Sequence, residues 1–161
     1  MQIKSATLED VPVILSFIRQ LADYEKLAHE VIATEDSLRK HLFGSKPYAE
    51  VILSYLDNVP VGFALFFHNF STFLGKPGLY LEDLFVLPEK RGSGIGQKML
   101  AYLACLAKER GCGRLEWWVL DWNEPAIHFY QRLGAQAMNE WTVYRVTGEA
   151  LNDLAEQWKS A

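Results

Sequence analysis

The chain has 161 residues, of which 50% are apolar and 22% are charged, and it carries a net charge of −4. This length predicts one domain, residues 1–161, with a substantial hydrophobic core. The sequence has no uncharged apolar run of about 18 residues and no basic stripe, which argues against membrane and nucleic-acid partners. The N-terminal residues lack a signal-peptide core, so the expected compartment is the cytoplasm. The two cysteines lack metal-ligand spacing, and no metal site is expected.

The first half of the chain predicts three strands and two helices. The strands are expected at residues 2–6, 49–56 and 61–68, and the helices from Thr7 to about Glu25 and from Thr34 to Gly44. Thr7 and Thr34 are each followed by acidic side chains, which suit a helix N-terminus. A turn at residues 57–60 joins the second and third strands as a hairpin. Residues 69–78 contain two glycines and a proline, and we expect them to form a loop.

The second half predicts four further strands and three further helices. The strands are expected at residues 79–87, 114–120, 136–138 and 141–146, and the helices at 95–110, 126–133 and 148–158. Gly111 and Gly134 are placed to end the first two of these helices. This order of elements predicts a mixed sheet with helices on both faces, which is an α/β (α+β layered) fold.

A glycine-rich loop follows the strand at residues 79–87 and leads into a helix. Gly92, Gly94 and Gly96 lack a Cβ, so backbone N–H groups can approach an anion at the helix N-terminus, where the helix dipole also favours negative charge. A Walker loop would need Lys and then Ser or Thr after the last glycine, and a dinucleotide loop would need its third glycine one position later. The loop is therefore a candidate phosphate cradle of another kind, or a turn without a ligand.

Two adjacent carboxylates, Glu82 and Asp83, interrupt the apolar strand that precedes this loop. Burying such groups without partners is costly, which favours a functional reason for their presence. Strand alternation places Tyr80, Glu82 and Leu84 on one face and Leu81, Asp83 and Phe85 on the other, unless a β-bulge shifts the register.

Three stretches occur together in one order: the strand YLEDLFV, the loop RGSGIG and the turn and helix WNEPAIHFYQRLGA. This combination resembles the GCN5-related N-acetyltransferases (GNAT), and within them the spermidine/spermine (diamine) and thialysine branch. The resemblance covers nearly the whole chain. It implies a mixed, mostly antiparallel sheet that splays between the strands at 79–87 and 114–120, with acetyl-CoA as the co-substrate in the opening.

The resemblance also implies which residues contact acetyl-CoA. Backbone groups of one strand would bind its pantetheine arm, the loop and helix start would bind its pyrophosphate, and a second turn would contact it from the other side. The residues are, in that order, Leu84, Phe85 and Val86; Arg91, Gly92, Ser93, Gly94, Ile95, Gly96 and Gln97; and Asn123, Glu124, Pro125 and Ala126.

Acetyl transfer to an amine needs a base and an acid. A primary ammonium has a pKa near ~10.4, so a base is useful at neutral pH, and Glu82 is the candidate. Tyr130 is the candidate acid, because a phenol with a pKa near ~10 remains protonated and can donate to the departing thiolate. This role for Tyr130 depends on the resemblance, since an aromatic residue at this spacing is otherwise more often part of a core. His128 is a weaker candidate, because a lone helical histidine is usually structural.

The resemblance further implies a site for a cationic amine, built from carboxylates and aromatic rings. Its candidate residues are Tyr24, Glu25, Glu82, Asp83, Glu116, Trp117, Trp118 and Glu140. Asp83 either binds a second amine or accepts hydrogen bonds from loop N–H groups. Trp117 and Trp118 alternate on one strand, so one is expected to line the pocket and the other to lie in the core. The chain after Gly134 is shorter than in the vertebrate polyamine enzymes, which leaves the role of Glu140 open.

The function expected from these residues is acetyl transfer from acetyl-CoA to a primary amine of a small cationic substrate, either a diamine or polyamine or a thialysine-like amine. Direct transfer in a ternary complex would suffice. The alternatives are a peptide or protein N-acetyltransferase and a non-catalytic acyl-CoA-binding module. The related enzymes suggest a homodimer, with the C-terminal strands as its contact.

Overall fold

The structure of the protein is a computed structural model that describes residues 1–159. The chain forms two compact units, a larger one over Met1–Trp118 and a smaller one that begins at Val119. Across the described residues, no helix is both long and apolar enough to cross a membrane.

The larger unit is built on a sheet whose strands follow one another in chain order. Within residues 1–159 the strands are β1 (Gln2–Ser5), β2 (Glu50–Leu56), β3 (Val59–Ser71), β4 (Lys76–Val86) and β5 (Leu115–Trp117). Each neighbouring pair is antiparallel except β4 and β5, which are parallel. The predicted mixed, mostly antiparallel sheet is confirmed.

Helices occur at all the positions that the sequence pattern predicts. They are α1 (Val11–Tyr24), α2 (Glu35–Phe43) and α3 (Ile95–Glu109) in the larger unit, and α4 (Glu124–Arg132) and α5 (Gly148–Lys159) in the smaller one. The N-terminus of α2 shows why the sequence fixes these starts. The Ser37 N–H donates to Thr34 Oγ1 at 3.1 Å, and the Thr34 N–H donates to Ser37 Oγ at 3.0 Å, which satisfies two donors that a helix start leaves open.

The two faces of the sheet are covered by different helices. On one face, the Phe17 ring of α1 lies 5.9 Å from the Phe63 ring and 5.6 Å from the Phe85 ring. On the other face, Arg110 at the end of α3 lies 5.9 Å above the Phe66 ring. Phe63 and Phe66 are an odd number of residues apart on β3 and therefore point to opposite faces. This arrangement confirms the layered α/β fold with helices on both faces.

The predicted loop at residues 69–78 is instead a β-hairpin. Strand β3 continues to Ser71, β4 begins at Lys76, and Asn69 pairs with Gly78 across the ladder. Gly78 is buried, and a Cβ at this position would collide with Asn69 Oδ1. The glycine is therefore needed for close packing between strands, whereas the sequence analysis interpreted it as a loop signal.

The predicted strands at residues 136–138 and 141–146 are also wrong. Residues 136–147 include no strand, and all of them are exposed. The predicted strand at 114–120 is shorter than expected, since β5 covers only Leu115–Trp117. A strand needs a neighbour that completes its backbone hydrogen bonds, and no neighbour for 136–147 is present within residues 1–159.

Candidate active site

Strand β4 is paired along both edges in its first half only. Strand β5 pairs with Leu79, Tyr80 and Leu81, and this pairing ends there. Beyond that point, among the described residues, β4 pairs only with β3. The second edge of β4 is therefore open beside Leu84, Phe85 and Val86, the residues expected to bind the pantetheine arm as an added strand would. The splay implied by the resemblance is confirmed between these strands.

A β-bulge lies at the paired carboxylates of β4. Leu65 of β3 pairs with Asp83 and Phe66 pairs with Leu81, so Glu82 is the extra residue without a cross-strand partner in this ladder. The bulge shifts the alternation, and Tyr80 lies on the same face as Asp83, with its ring 5.1 Å from the Phe67 ring. The stated exception to simple alternation therefore applies, and Tyr80 and Leu84 lie on opposite faces, because strand pairing places a bulge between them.

At this bulge the carboxyl of Asp83 is influenced by two other carboxylates, Glu82 and Glu25. Burial, followed by the negative charges of Glu82 and Glu25, raises the pKa of Asp83 to about 7. Burial also raises the pKa of Glu25, which follows the last residue of α1. Glu82 itself is exposed. Asp83 thus changes charge near neutral pH, and because this property depends on burial, no sequence pattern indicates it.

The negative charges of this face also affect Tyr80, which lies on the same face as Asp83. Burial, and then the charges of Glu82 and Glu116, raises the pKa of Tyr80 to about 12. A neutral phenol and several carboxylates form surroundings that favour a cation over an anion. The site therefore suits an amine substrate on electrostatic grounds.

The glycine loop has the conformation of an anion cradle. Gly92 and Gly94 adopt positive φ angles of 75° and 82°, and Gly94 is the N-cap of α3. A Cβ on either glycine would meet no protein atom within 4 Å, so their faces are open. Helix geometry gives the N–H groups of Ile95, Gly96 and Gln97 no acceptor within α3. Together with the helix dipole, these donors could hold the pyrophosphate of a CoA group.

Two further loop residues are fixed by hydrogen bonds. Ser93 Oγ donates to the Lys90 carbonyl at 2.6 Å, and Arg91 Nε donates to the Val86 carbonyl at 2.9 Å. The Arg91 guanidinium lies 4.5 Å from the centre of the Tyr24 ring and 5.6 Å from that of Phe85. The structure therefore brings a predicted substrate residue, Tyr24, against a predicted cofactor residue, Arg91.

The candidates on and after β5 have different surroundings. Glu116 accepts a hydrogen bond from Asn69 Nδ2 at 3.0 Å and forms an ion pair with Arg114 at 2.9 Å, so its carboxylate already has partners. Trp118 is 59% exposed, and its ring lies 5.8 Å from Tyr80 in an edge-on contact. Trp117 is half-buried. Trp117 is therefore the more buried of the two, and the expectation that one tryptophan lines the pocket while the other lies in the core stays a prediction.

The remaining candidates lie in the smaller unit. Asn123 is buried and caps α4, its Oδ1 accepting a bond from the Ala126 N–H at 3.4 Å, while Glu124 and Pro125 form the first turn. Tyr130 is half-buried on α4, with its ring 5.4 Å from that of Phe129. Glu140 is exposed in a turn. The catalytic and binding roles of these residues stay predictions.

Comparison with known proteins identifies the family to which this geometry belongs. The sequence profile of the Acetyltransferase (GNAT) family matches residues 17–135. The chain is 39% identical to the thialysine N-epsilon-acetyltransferase of Bos taurus, covering 95% of this chain and 96% of the relative. It is 35% identical to the L-ornithine N5-acetyltransferase NATA1 of Arabidopsis thaliana, over 95% of this chain and 87% of that protein.

Comparison with solved structures agrees. An integron cassette protein from V. cholerae, VCH_CASS6, has 28% sequence identity and a TM-score of 0.81, covering 96% of this chain and 97% of its own. Among the sequence relatives, the Spermidine/spermine N(1)-acetyltransferase-like protein 1 of Homo sapiens is 30% identical over 96% of this chain, and the match spans 24% of that protein. The resemblance to the diamine and thialysine branch is therefore confirmed, and the chain belongs to the GNAT family of acetyltransferases.

Proposed function

We propose that this protein transfers the acetyl group of acetyl-CoA to a primary amine of a small cationic substrate, a diamine or polyamine or a thialysine-like amine. The observation that supports this best is the placement of Glu82 and Asp83 on the strand that runs directly into the glycine loop. Carboxylates for the amine and donors for the CoA pyrophosphate thus belong to one continuous segment. Two of the named relatives are acetyltransferases of thialysine and ornithine, both of which carry a primary amine on a flexible chain, and a third is named as spermidine/spermine N(1)-acetyltransferase-like.

The acetyl donor would be held by two parts of the larger unit. The open edge of β4 beside Leu84, Phe85 and Val86 offers backbone groups to the pantetheine amides. The loop from Arg91 to Gln97 offers its N–H groups and the positive end of α3 to the pyrophosphate. We include Asn123, Glu124, Pro125 and Ala126 as contacts from the smaller unit. When bound, acetyl-CoA supplies the acyl group and a thiolate leaving group.

The transfer itself needs proton movements at the substrate nitrogen and at the departing sulfur. A carboxylate, Glu82 directly or through water, accepts a proton from the substrate ammonium, and the neutral nitrogen attacks the thioester carbonyl. The nitrogen loses its second proton to water as the carbon–sulfur bond breaks, and the Tyr130 hydroxyl gives a proton to the departing thiolate and is then reprotonated from solvent. No covalent intermediate with the enzyme is required, so both substrates are bound together in a ternary complex.

The amine would be recognised by charge and by aromatic surfaces. Glu25, Glu82 and Asp83 provide negative charge, and Tyr24 and Trp118 provide exposed ring surface of the kind that binds ammonium groups. Trp117 and Glu140 remain candidates for the same site. Glu116 would act indirectly, since its carboxylate is engaged by Arg114 and Asn69.

The direct test is an acceptor panel with the purified protein. CoA release is measured with acetyl-CoA and diamines, polyamines, thialysine, lysine, ornithine and N-terminal or lysine-containing peptides. We expect release with at least one small amine and a much lower kcat/KM with peptides. Turnover with peptides alone would replace the small-amine proposal by a protein acetyltransferase. Tight acetyl-CoA binding without any transfer would instead indicate a binding module.

We also infer that the protein is a homodimer in which the segment at residues 141–146 contacts the second copy. Its apolar residues are exposed, with Trp141 at 72% and Tyr144 at 92%. Exposed apolar surface of this extent is typical of a partner contact. The cytoplasmic location, and the expectation of no metal, membrane or nucleic-acid partner, stay predictions from composition.

A further inference from the structure

The guanidinium of Arg91 is fixed by three other groups of the larger unit. Its Nε donates to the carbonyl of Val86 at 2.9 Å, which anchors one edge of the plane. The rings of Tyr24 and Phe85 lie 4.5 Å and 5.6 Å from its central carbon. A planar guanidinium can stack on rings and donate sideways at the same time, which a lysine ammonium cannot do.

These contacts connect three segments that have different roles in the proposed reaction. Val86 ends the strand that carries Glu82 and Asp83, and Tyr24 ends α1 immediately before Glu25. Arg91 itself precedes the glycine N-cap of α3 by three residues. The side chain of Arg91 therefore links the start of the anion cradle to the end of the helix that carries two amine-site candidates.

The second edge of the guanidinium is still available. Within residues 1–159, Nη1 and Nη2 of Arg91 take part in no hydrogen bond. An anion held by the glycine loop could accept from this edge while the rings and the Val86 carbonyl hold the rest of the plane. Such an anion would reduce the freedom of the guanidinium, and through it the freedom of Tyr24.

We propose that Arg91 is a positioning residue that couples acetyl-CoA binding to the amine site by holding Tyr24 and the end of α1. This inference rests on the proposed function, since it uses acetyl-CoA as the anion and the carboxylates as the amine site. Because the Tyr24 ring helps to hold the Arg91 guanidinium, removing this ring should weaken CoA binding even though Tyr24 lies on α1 and not on the loop. A purely local role of Arg91 as a phosphate ligand requires no such effect.

The test measures CoA affinity by calorimetry, without amine and without turnover. Tyr24→Leu is expected to raise the Kd for CoA by about 5-fold to 10-fold, the lower part of the range typical of coupled sites. Tyr24→Phe keeps the ring against the guanidinium and should bind CoA like the unaltered protein. Arg91→Lys keeps the charge but loses the stacked plane, and it should raise the Kd and also the KM for the amine.

A matched control is available elsewhere in the larger unit. Lys46 lies 5.8 Å above the ring of Tyr48, which is another exposed tyrosine with a cation over its face. Tyr48→Leu removes this pair and should leave the Kd for CoA unchanged. Thermal unfolding of each variant verifies that it is folded before its affinity is interpreted.

The decisive comparison is the double variant Tyr24→Leu with Arg91→Lys. If Arg91 acts through Tyr24, the double variant binds CoA about as weakly as Arg91→Lys alone, so the two effects are not additive. Unchanged CoA affinity in folded Tyr24→Leu, or strictly additive effects, would overturn the coupling. Turnover of small amines alongside that result would leave the proposed function intact. Weakened CoA binding in Tyr24→Leu with no amine accepted in the panel would support the coupling and reject the proposed acceptor.

Discussion

Strand β4 and the segment at residues 141–146 both contain aromatic and aliphatic side chains that are typical of strands, but only β4 forms a strand. Strand β4 has β3 along one edge and β5 along part of the other. Across the described residues, the segment at 141–146 has no neighbouring strand, and each of its residues is exposed. Such a composition therefore indicates a segment that suits a sheet, while the strand forms only where a neighbour completes the hydrogen bonds.

The two units that contain these segments also differ in how many side chains they bury. The larger unit buries many apolar side chains, among them Phe63, Phe66, Leu79 and Met99, on both faces of its sheet. Among residues 119–158, only Asn123 is buried, and it is polar. The site residues of β4 are thus held by a core, whereas in the smaller unit Asn123 caps α4, the helix that carries Tyr130.

The largest expected effect is a loss of kcat, and it tests whether the smaller unit supplies a catalytic group. Tyr130→Phe removes the proposed acid and should lower kcat about 100-fold or more, with the Kd for acetyl-CoA nearly unchanged. Stopped assays of CoA release measure the first quantity and calorimetry the second. Tyr144→Phe, at an exposed tyrosine of the same unit, is the matched control and should retain full kcat. Equal kcat in both variants would remove Tyr130 from the mechanism.

The next effect concerns the glycine cradle of the larger unit. Gly94→Ala places a Cβ at a φ angle of 82°, and Gly111→Ala does so at 70° beyond the other end of α3. Neither Cβ would meet protein atoms within 4 Å, so both variants should lose a similar free energy of unfolding, about 1–2 kcal/mol. Only Gly94→Ala should weaken acetyl-CoA binding, by about 10-fold, because its Cβ would occupy space meant for the ligand. Equal affinities in the two variants would argue against the loop as the pyrophosphate site.

A smaller effect, on stability, tests the carboxylate cluster. The pKa of Asp83 is about 7 in the folded protein and 3.8 without its surroundings. Between pH 3.8 and about pH 7, the folded protein therefore keeps a proton on Asp83 that the unfolded chain has lost. The contribution of Asp83 to stability is therefore fully present below about pH 4 and is lost as the pH rises to about 7. Asp83→Asn should raise the free energy of unfolding at pH 8 by about 1–2 kcal/mol and change it little at pH 4. Denaturant unfolding at both pH values measures this, and an equal effect at both would contradict the raised pKa.

The smallest expected effect on the isolated chain comes from the segment without a strand neighbour. Trp141→Ser replaces a side chain that is 72% exposed and should change the free energy of unfolding of the monomer by less than about 0.5 kcal/mol. If a second copy pairs with this segment, the same substitution should weaken the dimer strongly. Sedimentation velocity over a range of protein concentrations measures how strongly the unaltered protein and the Trp141→Ser variant dimerise. A wild-type protein that stays monomeric throughout would refute the contact.

The correct predictions follow from signals that act over a few residues. Thr34 and Ser37 cap α2, and Gly94 begins α3, because these groups satisfy or leave open specific backbone donors. The failures involve partners distant in sequence. Gly78 was interpreted as part of a loop, although it faces Asn69 across a ladder. The sequence indicates a functional role for Glu82 and Asp83, but the bulge that leaves Glu82 exposed and Asp83 more buried depends on pairing with β3.

The sequence by itself determined the helices, the central strand, the glycine loop and the family, because these depend on local capping, on glycine conformation and on motifs in register. Only the tertiary structure decided where β5 stops pairing with β4, which carboxyl titrates near neutral pH and how Arg91 contacts Tyr24. Each of these depends on burial or on contact between residues far apart in the chain. Such contacts are fixed by packing of the whole sheet and its helices, which no short stretch of sequence encodes.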